Sequence, residues 1–466
     1  MNYSFWADEA YISGIAAQLA LGKLTFLQAI NAPGITYQKL NMFIIAIFLK
    51  LFGIGEAVSR IPSIIMLLLG VIFIFLLTKK LSNKYGAMLA AFLYGFSHLN
   101  LSYATQAKPY IFVEFATIAI IYLLVKIDEQ KQFSSSIKYH VLIIIIASIA
   151  VLFHYIGIFL LALYFVHLLQ SFRKLKVRSY WWLLLVIPCL FLLGIELIPV
   201  VVNTVLAKNF FTYNHTYQAI KLFAYKYSLI SLCAGLGFVW IFKKNPKISI
   251  SIFFYIFIIL LMTSFEVYIF NIRYVLSLFG LIFLYFGIFW AKVGEKYMPK
   301  KPWVIPLVVM LLIYITGYKI VRLPQAYFNP NMDKYGDVQI ANYKDFYAEL
   351  KQRFPDYKDR YVVNDTFDVE YWYFGRYSDA YFMKGTTTPT QHAVVKQAKM
   401  YGTLDDFKKM MKEHPQGLLI MEDWQSFLPD DIKMYAKKNL KLELRVESLK
   451  EAPDDPWPLA LYSWGY

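Results

Sequence analysis

The chain has 466 residues, of which 58% are hydrophobic, 18% aromatic and only 17% charged, with a net charge of +16. Soluble domains carry about 25% charged and about 45–50% apolar residues, so this composition excludes an ordinary soluble globular protein. The positive charge sits in short loops between apolar runs, which argues against nucleic acid as its partner and for orientation in a lipid bilayer.

The first element in chain order is a helix over about residues 8–22, opened by Asp8 and Glu9 and expected to be amphipathic. Two carboxylates at a helix N-terminus feel its positive dipole, which favours their ionised form. An ionised Asp there can take a proton from an attacking hydroxyl or amine, although the pair also reads as a cap and a first-turn acid. Residues 37–53 are apolar enough for a span, but a span here would invert every later loop. They are therefore expected to form a helix lying along the outer surface. Arg60, just before Pro62, reads as a structural tie, through Glu56, that holds this helix down.

A helix needs about 17–25 apolar residues to cross a hydrocarbon core of about 30 Å. Runs near that length fall at 59–78, 86–106, 109–126, 139–153, 155–171, 180–202, 222–242, 248–265, 274–291 and 303–321. Alternate loops between them hold Lys79, Lys80 and Lys84; Lys126, Lys131 and Lys138; Arg173, Lys174, Lys176 and Arg178; Lys243, Lys244 and Lys247; and Lys292, Lys296, Lys300 and Lys301. The other loops hold only Lys108, Lys208, Lys221 and Arg273. The basic set is cytoplasmic by the positive-inside rule, and both ends of the chain then lie outside. An outer N-terminus implies that a first transmembrane helix precedes Met1.

The polar residues capable of chemistry gather in the outer loops. Lys108 stands in Thr105-Gln106-Ala107-Lys108-Pro109-Tyr110, between two spans; it reads either as a functional cation or as an anchor that snorkels to the interface. His154-Tyr155 marks a tight outer hairpin, where His154 serves as a hydrogen-bonding structural residue or as a donor to a phosphate. Arg273, before Tyr274, brings a guanidinium fork suited to phosphate oxygens, or else an interfacial anchor paired with Glu266. The remaining histidines are scattered without metal-ligand spacing, and Cys189 and Cys233 both lie in apolar runs, so neither a metal, a cofactor nor a disulfide is indicated.

Beyond residue 321 charges become frequent. Val362–Val363 and Gly417–Met421 read as buried strands. Residues 341–353 and 403–413 read as amphipathic helices, the second capped by Thr403. Residues 322–466 thus form a small α/β domain on the outer face, 59–321 hold about ten transmembrane helices, and 1–58 are outer juxtamembrane helices carrying the acidic motif. An acid pair with cations at the lipid boundary describes group transfer from a lipid phosphate: the acid activates the acceptor, and the cations stabilise the departing phosphate.

Several short motifs carry a resemblance. Phe5-Trp6-Ala7-Asp8-Glu9-Ala10-Tyr11, Glu56-Ala57-Val58-Ser59-Arg60-Ile61-Pro62, Gln106-Ala107-Lys108-Pro109-Tyr110, Phe153-His154-Tyr155 and Asn271-Ile272-Arg273-Tyr274 occur in this order over residues 5–290. The chain resembles the GT-C membrane glycosyltransferases, in the branch of protein O-mannosyltransferases and lipid A aminoarabinose transferases. Lys108 departs from the pattern, which often has Arg there. The resemblance implies a polyprenyl-phosphate donor of a hexose or pentose, inversion at the anomeric carbon, and no metal or other cofactor for catalysis. It implies Asp8 as general base with Glu9 supporting it, and Lys108, Arg273, His154, Tyr110 and Tyr274 around the donor phosphate. The acceptor, whether lipid, glycan or protein, is not readable; the composition and the family branch suggest a bacterial inner membrane. Two other readings stand beside it. A transporter or flippase of polyprenyl-linked glycans is expected to show paired halves or broken helices with polar residues at mid-membrane, whereas most of these spans read as apolar at their centres, with the polar groups at one rim. A non-catalytic envelope assembly protein would use Asp8 only as a cap.

Overall fold

The computed structural model describes residues 4–5, 7–32, 38–130, 133–171, 215–262, 272–316, 342–392, 394–422, 427–447 and 458–465. The N-terminal part holds α1 (Ala7–Ala20), α2 (Phe26–Ile30) and α3 (Lys39–Phe52). The apolar bundle follows with α4 (Glu56–Leu81), α5 (Lys84–Phe96), α6 (His98–Ala104), α7 (Tyr110–Asp128), α8 (Phe133–Phe153) and α9 (Ile158–Ser171). It continues with α10 (His215–Lys221), α11 (Ser228–Lys244), α12 (Pro246–Met262), α13 (Leu276–Tyr297) and α14 (Val304–Thr316). The chain is an integral membrane protein: among the described residues, the helical stretches Glu56–Leu81, Tyr110–Asp128, Ser135–Phe153 and Ile272–Tyr297 are each long and apolar enough to cross a bilayer. Shorter apolar helices cover Tyr155–Gln170, Pro246–Leu261 and Val304–Thr316. The apolar run at 180–202 lies outside the described residues.

The bundle closes around α7 and α13, which are buried along most of their length. Small residues let their neighbours approach. An added Cβ at Gly287 on α13 would lie 2.5 Å from the Gly86 carbonyl on α5, and one at Gly237 on α11 would lie 2.1 Å from the Tyr285 carbonyl. Such contacts are how apolar helices pack where lipid offers no hydrophobic drive.

Two expectations are corrected. The run 86–106 is not one helix but two, because Ser97 turns out of α5 and caps α6 by accepting from Asn100 N at 3.0 Å. The run 222–242 is likewise interrupted, by a π-helical turn over Leu222–Lys226 before α11. Polar groups are also buried toward the N-terminal end of α7. Glu114 on α7 is fully buried and accepts a hydrogen bond from Asn100 Nδ2 at 3.3 Å, and the same amide also donates to the Tyr94 carbonyl at 3.0 Å.

The C-terminal part is an α/β domain. A seven-stranded sheet has the order β3-β4-β2-β1-β5-β7-β6, with β1 (Tyr361–Asn364), β2 (Ala380–Phe382), β3 (Thr390–Gln391), β4 (Lys399–Tyr401), β5 (Gly417–Glu422), β6 (Lys441–Val446) and β7 (Leu459–Trp464). β1, β2, β4 and β5 are parallel; β3, β6 and β7 pair antiparallel. Helices α15 (Tyr343–Arg353), α16 (Glu370–Tyr373), α17 (Leu404–Glu413) and α18 (Asp430–Asn439) accompany it. Both expected strands and both expected helices are present, and Thr403 caps α17 by accepting from Asp406 N.

α1 is corrected as well. It is not an amphipathic surface helix: Ala7, Glu9, Ala10, Ile12, Ser13, Gly14, Ile15, Ala16 and Ala17 are all buried. The reason is that the C-terminal domain packs over it. α16 crosses at Gly14, where an added Cβ would lie 3.7 Å from Tyr371, and Phe5 packs on Trp372 with ring centroids 4.9 Å apart. One apolar core joins α1 and α3 with Phe346, Leu350, Val362 and Leu418 of that domain. α3 keeps a second apolar stripe, Phe43, Ile47 and Leu51, exposed on the side away from α1.

Candidate active site

Asp8 is the centre of the arrangement. It lies in the first turn of α1, half exposed, and its Oδ2 meets Lys108 Nζ at 3.1 Å and Arg273 Nη1 at 3.6 Å. Among the described residues Oδ1 carries no hydrogen bond. The Lys108 charge holds the Asp8 carboxyl below its ordinary value; burial opposes this, and Arg273 reinforces it. Asp8 is therefore an anion at neutral pH with one oxygen committed to cations and the other open.

Lys108 is placed by three elements. Its loop is pinned where Asn41 Nδ2 on α3 donates to the Ala107 carbonyl at 3.2 Å. Ser63 Oγ on α4 donates to the Lys108 carbonyl at 3.1 Å. Ala107 N donates to Glu9 Oε1 at 2.7 Å. Lys108 itself is buried, so its ammonium requires the carboxylate it meets.

Glu9 faces away from the open side. It is fully buried, next to Arg60 Nε at 3.4 Å with both side chains sealed from solvent. Arg60 also donates to the Ser4 carbonyl at 3.3 Å and lies 4.7 Å over the Phe5 ring. Successive helix residues diverge by about 100°, so Asp8 and Glu9 serve different surfaces: one the cleft, the other the joint between α1, α4 and the Lys108 loop. Arg60 is thus a structural tie as expected, but its partner is Glu9. Glu56 instead pairs with Lys344 Nζ at 2.9 Å and accepts from Tyr373 OH at 3.1 Å.

Arg273 sits in a 3-10 turn, Ile272–Val275, at the head of α13. Its guanidinium lies 5.6 Å over the Tyr110 ring and 5.2 Å over the Tyr274 ring, and Nη2 donates to Tyr274 OH at 3.2 Å. Tyr110 and Tyr274 are therefore shelves for the cation. Its expected partner Glu266 lies outside the described residues; the carboxylate it meets is Asp8. His154 is buried behind Tyr110, with ring centroids 5.0 Å apart, and caps a 3-10 turn by accepting from Ile156 N at 3.3 Å. The structure gives His154 this capping role and leaves its second nitrogen as the only one able to donate.

Sequence reasoning missed one carboxylate. Asp368 follows β1 in the C-terminal domain, and burial, then the charge of Asp8, push its carboxyl up to about 7. The acid-rich stretch Asn364-Asp365-Thr366-Phe367-Asp368 was visible, but nothing local connects it to a helix some 360 residues earlier. Among the described residues no three His, Cys, Asp or Glu side chains cluster in a metal-ligand arrangement. An apolar groove of about 260 Å³ is lined by Phe223, Phe238, Leu260, Leu278, Leu281 and Tyr285, among others.

Residues 40–198, which include Arg60, Lys108, Tyr110 and His154, match the family described as dolichyl-phosphate-mannose-protein mannosyltransferase. In structure the chain is similar to ArnT from Cupriavidus metallidurans in the apo state: TM-score 0.63 at 10% identity, covering 99% of this chain and 94% of that one. ArnT bound to undecaprenyl phosphate gives a TM-score of 0.61 at 11% identity with the same coverage of both chains. The oligosaccharyltransferase AglB from Archaeoglobus fulgidus, in complex with an inhibitory peptide and a dolichol-phosphate, gives 0.53 at 10% identity, covering 97% of this chain and 70% of that one. No curated protein matches the chain in sequence. The chain has the GT-C fold of these membrane glycosyltransferases.

Proposed function

We propose that this protein is an integral membrane glycosyltransferase that moves a sugar from a polyprenyl-phosphate donor to an acceptor with inversion, using Asp8 as general base. The observation that carries the reading is the divided Asp8 carboxylate: Oδ2 against Lys108 and Arg273, Oδ1 open. A bound donor would set its phosphate on the two cations. The acceptor hydroxyl gives its proton to Asp8 as its oxygen attacks the anomeric carbon. The carbon–oxygen bond to phosphate breaks with its electron pair, and the charge that develops on the phosphate is held by Lys108 and Arg273. A single displacement of this kind inverts the anomeric centre. Lys108 acts as a point charge, and Arg273, braced on Tyr110 and Tyr274, presents its fork. Glu9 with Arg60 fixes the height of α1 against the Lys108 loop. The apolar groove along α13 supplies room for isoprenoid carbons, since Leu278, which lines it, lies five residues beyond Arg273.

The same reading places about ten spans in the membrane, with the Asp8 centre and the C-terminal domain on the face opposite the Lys- and Arg-rich loops, in a bacterial inner membrane. The family description and the lipid phosphates bound by the similar structures support the donor class. At the α5–α6 break Asn100 Nδ2 donates both to Glu114 and to the Tyr94 carbonyl, which ties the break into the bundle.

The test incubates purified protein with radiolabelled polyprenyl-phosphate hexose and envelope extract, comparing the native chain with Asp8→Asn. A base contributes about 10²–10⁴-fold, so transfer by Asp8→Asn is expected to fall by at least a hundredfold. Equal transfer by both proteins would refute the role of Asp8, and no transfer by either with several donor sugars would refute the transferase reading.

A further inference from the structure

We propose that Asp368, contributed by the C-terminal domain, is an acceptor-positioning residue of the Asp8 centre and selects an uncharged hydroxyl over an anionic acceptor. This rests on the transferase reading above.

The placement follows from the fold. β1 is the strand flanked by β2 on one side and β5 on the other, and crevices at such strand ends are where open α/β sheets hold ligands. The loop leaving β1 carries Phe367 and Asp368 directly onto α1. Phe367 meets Tyr11 edge-on with ring centroids 5.4 Å apart. Tyr11 lies three residues after Asp8, so the two side chains share one face of α1. Asp368 is thereby brought within range of the Asp8 charge. Its hydrogen bond comes from Thr366 Oγ1 at 3.4 Å, and among the described residues it forms no ion pair.

The charges are consequently segregated around Asp8. Both cations, Lys108 and Arg273, come from the bundle, while the domain on the other side of α1 brings a carboxylate without a counter-ion. A phosphate-bearing acceptor entering from that side would meet two carboxylates. An uncharged hydroxyl compound can donate to both, and the half-exposed rings of Tyr11 and Phe367 offer its carbon skeleton an apolar wall. The groups facing Asp368 are Asp8 and Tyr11 from α1, Glu370 from α16, Tyr377 and Thr366. With its carboxyl raised to about 7, Asp368 is an anion at pH 8 and largely protonated at pH 6.

The experiment uses the full chain with a fixed polyprenyl-phosphate hexose donor. Envelope extract is divided by anion exchange into uncharged and anionic acceptor fractions. Label is expected in the uncharged fraction. Asp368→Asn is expected to raise the acceptor KM about tenfold, the loss of one hydrogen bond to a charged group, while the donor KM and the affinity for undecaprenyl phosphate stay within twofold. Asp368→Glu is expected to recover part of the loss. The native acceptor KM should rise from pH 8 to pH 6, and this dependence should vanish in Asp368→Asn. The proposal is overturned by label in the anionic fraction, by an unchanged acceptor KM and pH dependence in Asp368→Asn, or by Asp368→Asn and Asp368→Glu both losing undecaprenyl phosphate affinity, which would mark a structural role. Transfer by the native chain alongside any of these leaves the transferase reading standing; no transfer by the native chain overturns both.

Discussion

Asp8 gains its proposed role from what surrounds it. A first-turn Asp on an exposed helix is a weak acid assisted by the helix dipole. Here Lys108 is the larger influence, burial works against it, and Arg273 adds to it. The sign follows directly. A carboxyl whose folded value is depressed stabilises the fold above its unfolded value, and that contribution fades as pH falls through the lower folded value. Activity that needs ionised Asp8 therefore survives into acid below the ordinary carboxylate range. Lys108→Met removes the largest lowering influence and leaves burial in place. Its acidic limb in a kcat/KM against pH profile is expected to lie at higher pH than in the native chain; an unmoved limb would show that Lys108 does not govern Asp8. Glu9, the very next residue, illustrates the opposite outcome. Sealed with Arg60, it serves as a joint between elements, and no property of the dipeptide Asp8-Glu9 distinguishes the two.

Among the elements, glycine contacts decide how close the spans lie. Gly237 and Gly235 are two residues apart on α11. An added Cβ at Gly237 would lie 2.1 Å from the Tyr285 carbonyl, whereas one at Gly235 meets nothing within 4 Å. Gly237→Ala forces α11 away from α13 and is expected to destabilise by about 1–3 kcal/mol. Gly235→Ala should be neutral or stabilising by up to about 1 kcal/mol, because Ala is the better helix former. Thermal melts of the detergent-solubilised variants check the pair, and similar losses in both would contradict the packing. The four helices long enough to span were legible from length and hydropathy, because a bilayer core leaves few alternatives to an apolar helix. The break at Ser97 was not legible: Ser97-His98-Leu99-Asn100 has the polarity of a capped helix start, yet it lies in an apolar run long enough to hide it.

Across the whole molecule, the C-terminal domain and the N-terminal segment are latched together near the Asp8 site. Tyr373 OH donates to Glu56 Oε1 at 3.1 Å and accepts from Phe5 N at 2.5 Å, while Lys344 pairs with the other oxygen of Glu56. The latch ties α16 to α4 and to the residues entering α1, and so sets where the β1–α16 loop meets Tyr11. Tyr373→Phe deletes the shared hydroxyl at a buried site. It is expected to cost about 1–3 kcal/mol and to raise the acceptor KM more than the donor KM; steady-state kinetics with each substrate varied in turn would show it, and an equal effect on both would place the latch elsewhere in the cycle.

The amino-acid sequence by itself determined the membrane class, most of the helical runs, the presence of a C-terminal α/β domain after the last of them, and the gathering of Asp8, Lys108 and Arg273 at one place. These are set by local hydropathy, by loop charge and by short motifs, all of which act over a few residues. Tertiary structure alone decided that Arg60 serves Glu9, that Glu56 serves Lys344 and Tyr373, that α1 is buried under the C-terminal domain, and that Asp368 comes within range of the Asp8 charge. The reason is physical: ion pairing and burial depend on which surfaces the chain brings together, and contacts such as Tyr11–Phe367 join residues that no local pattern relates.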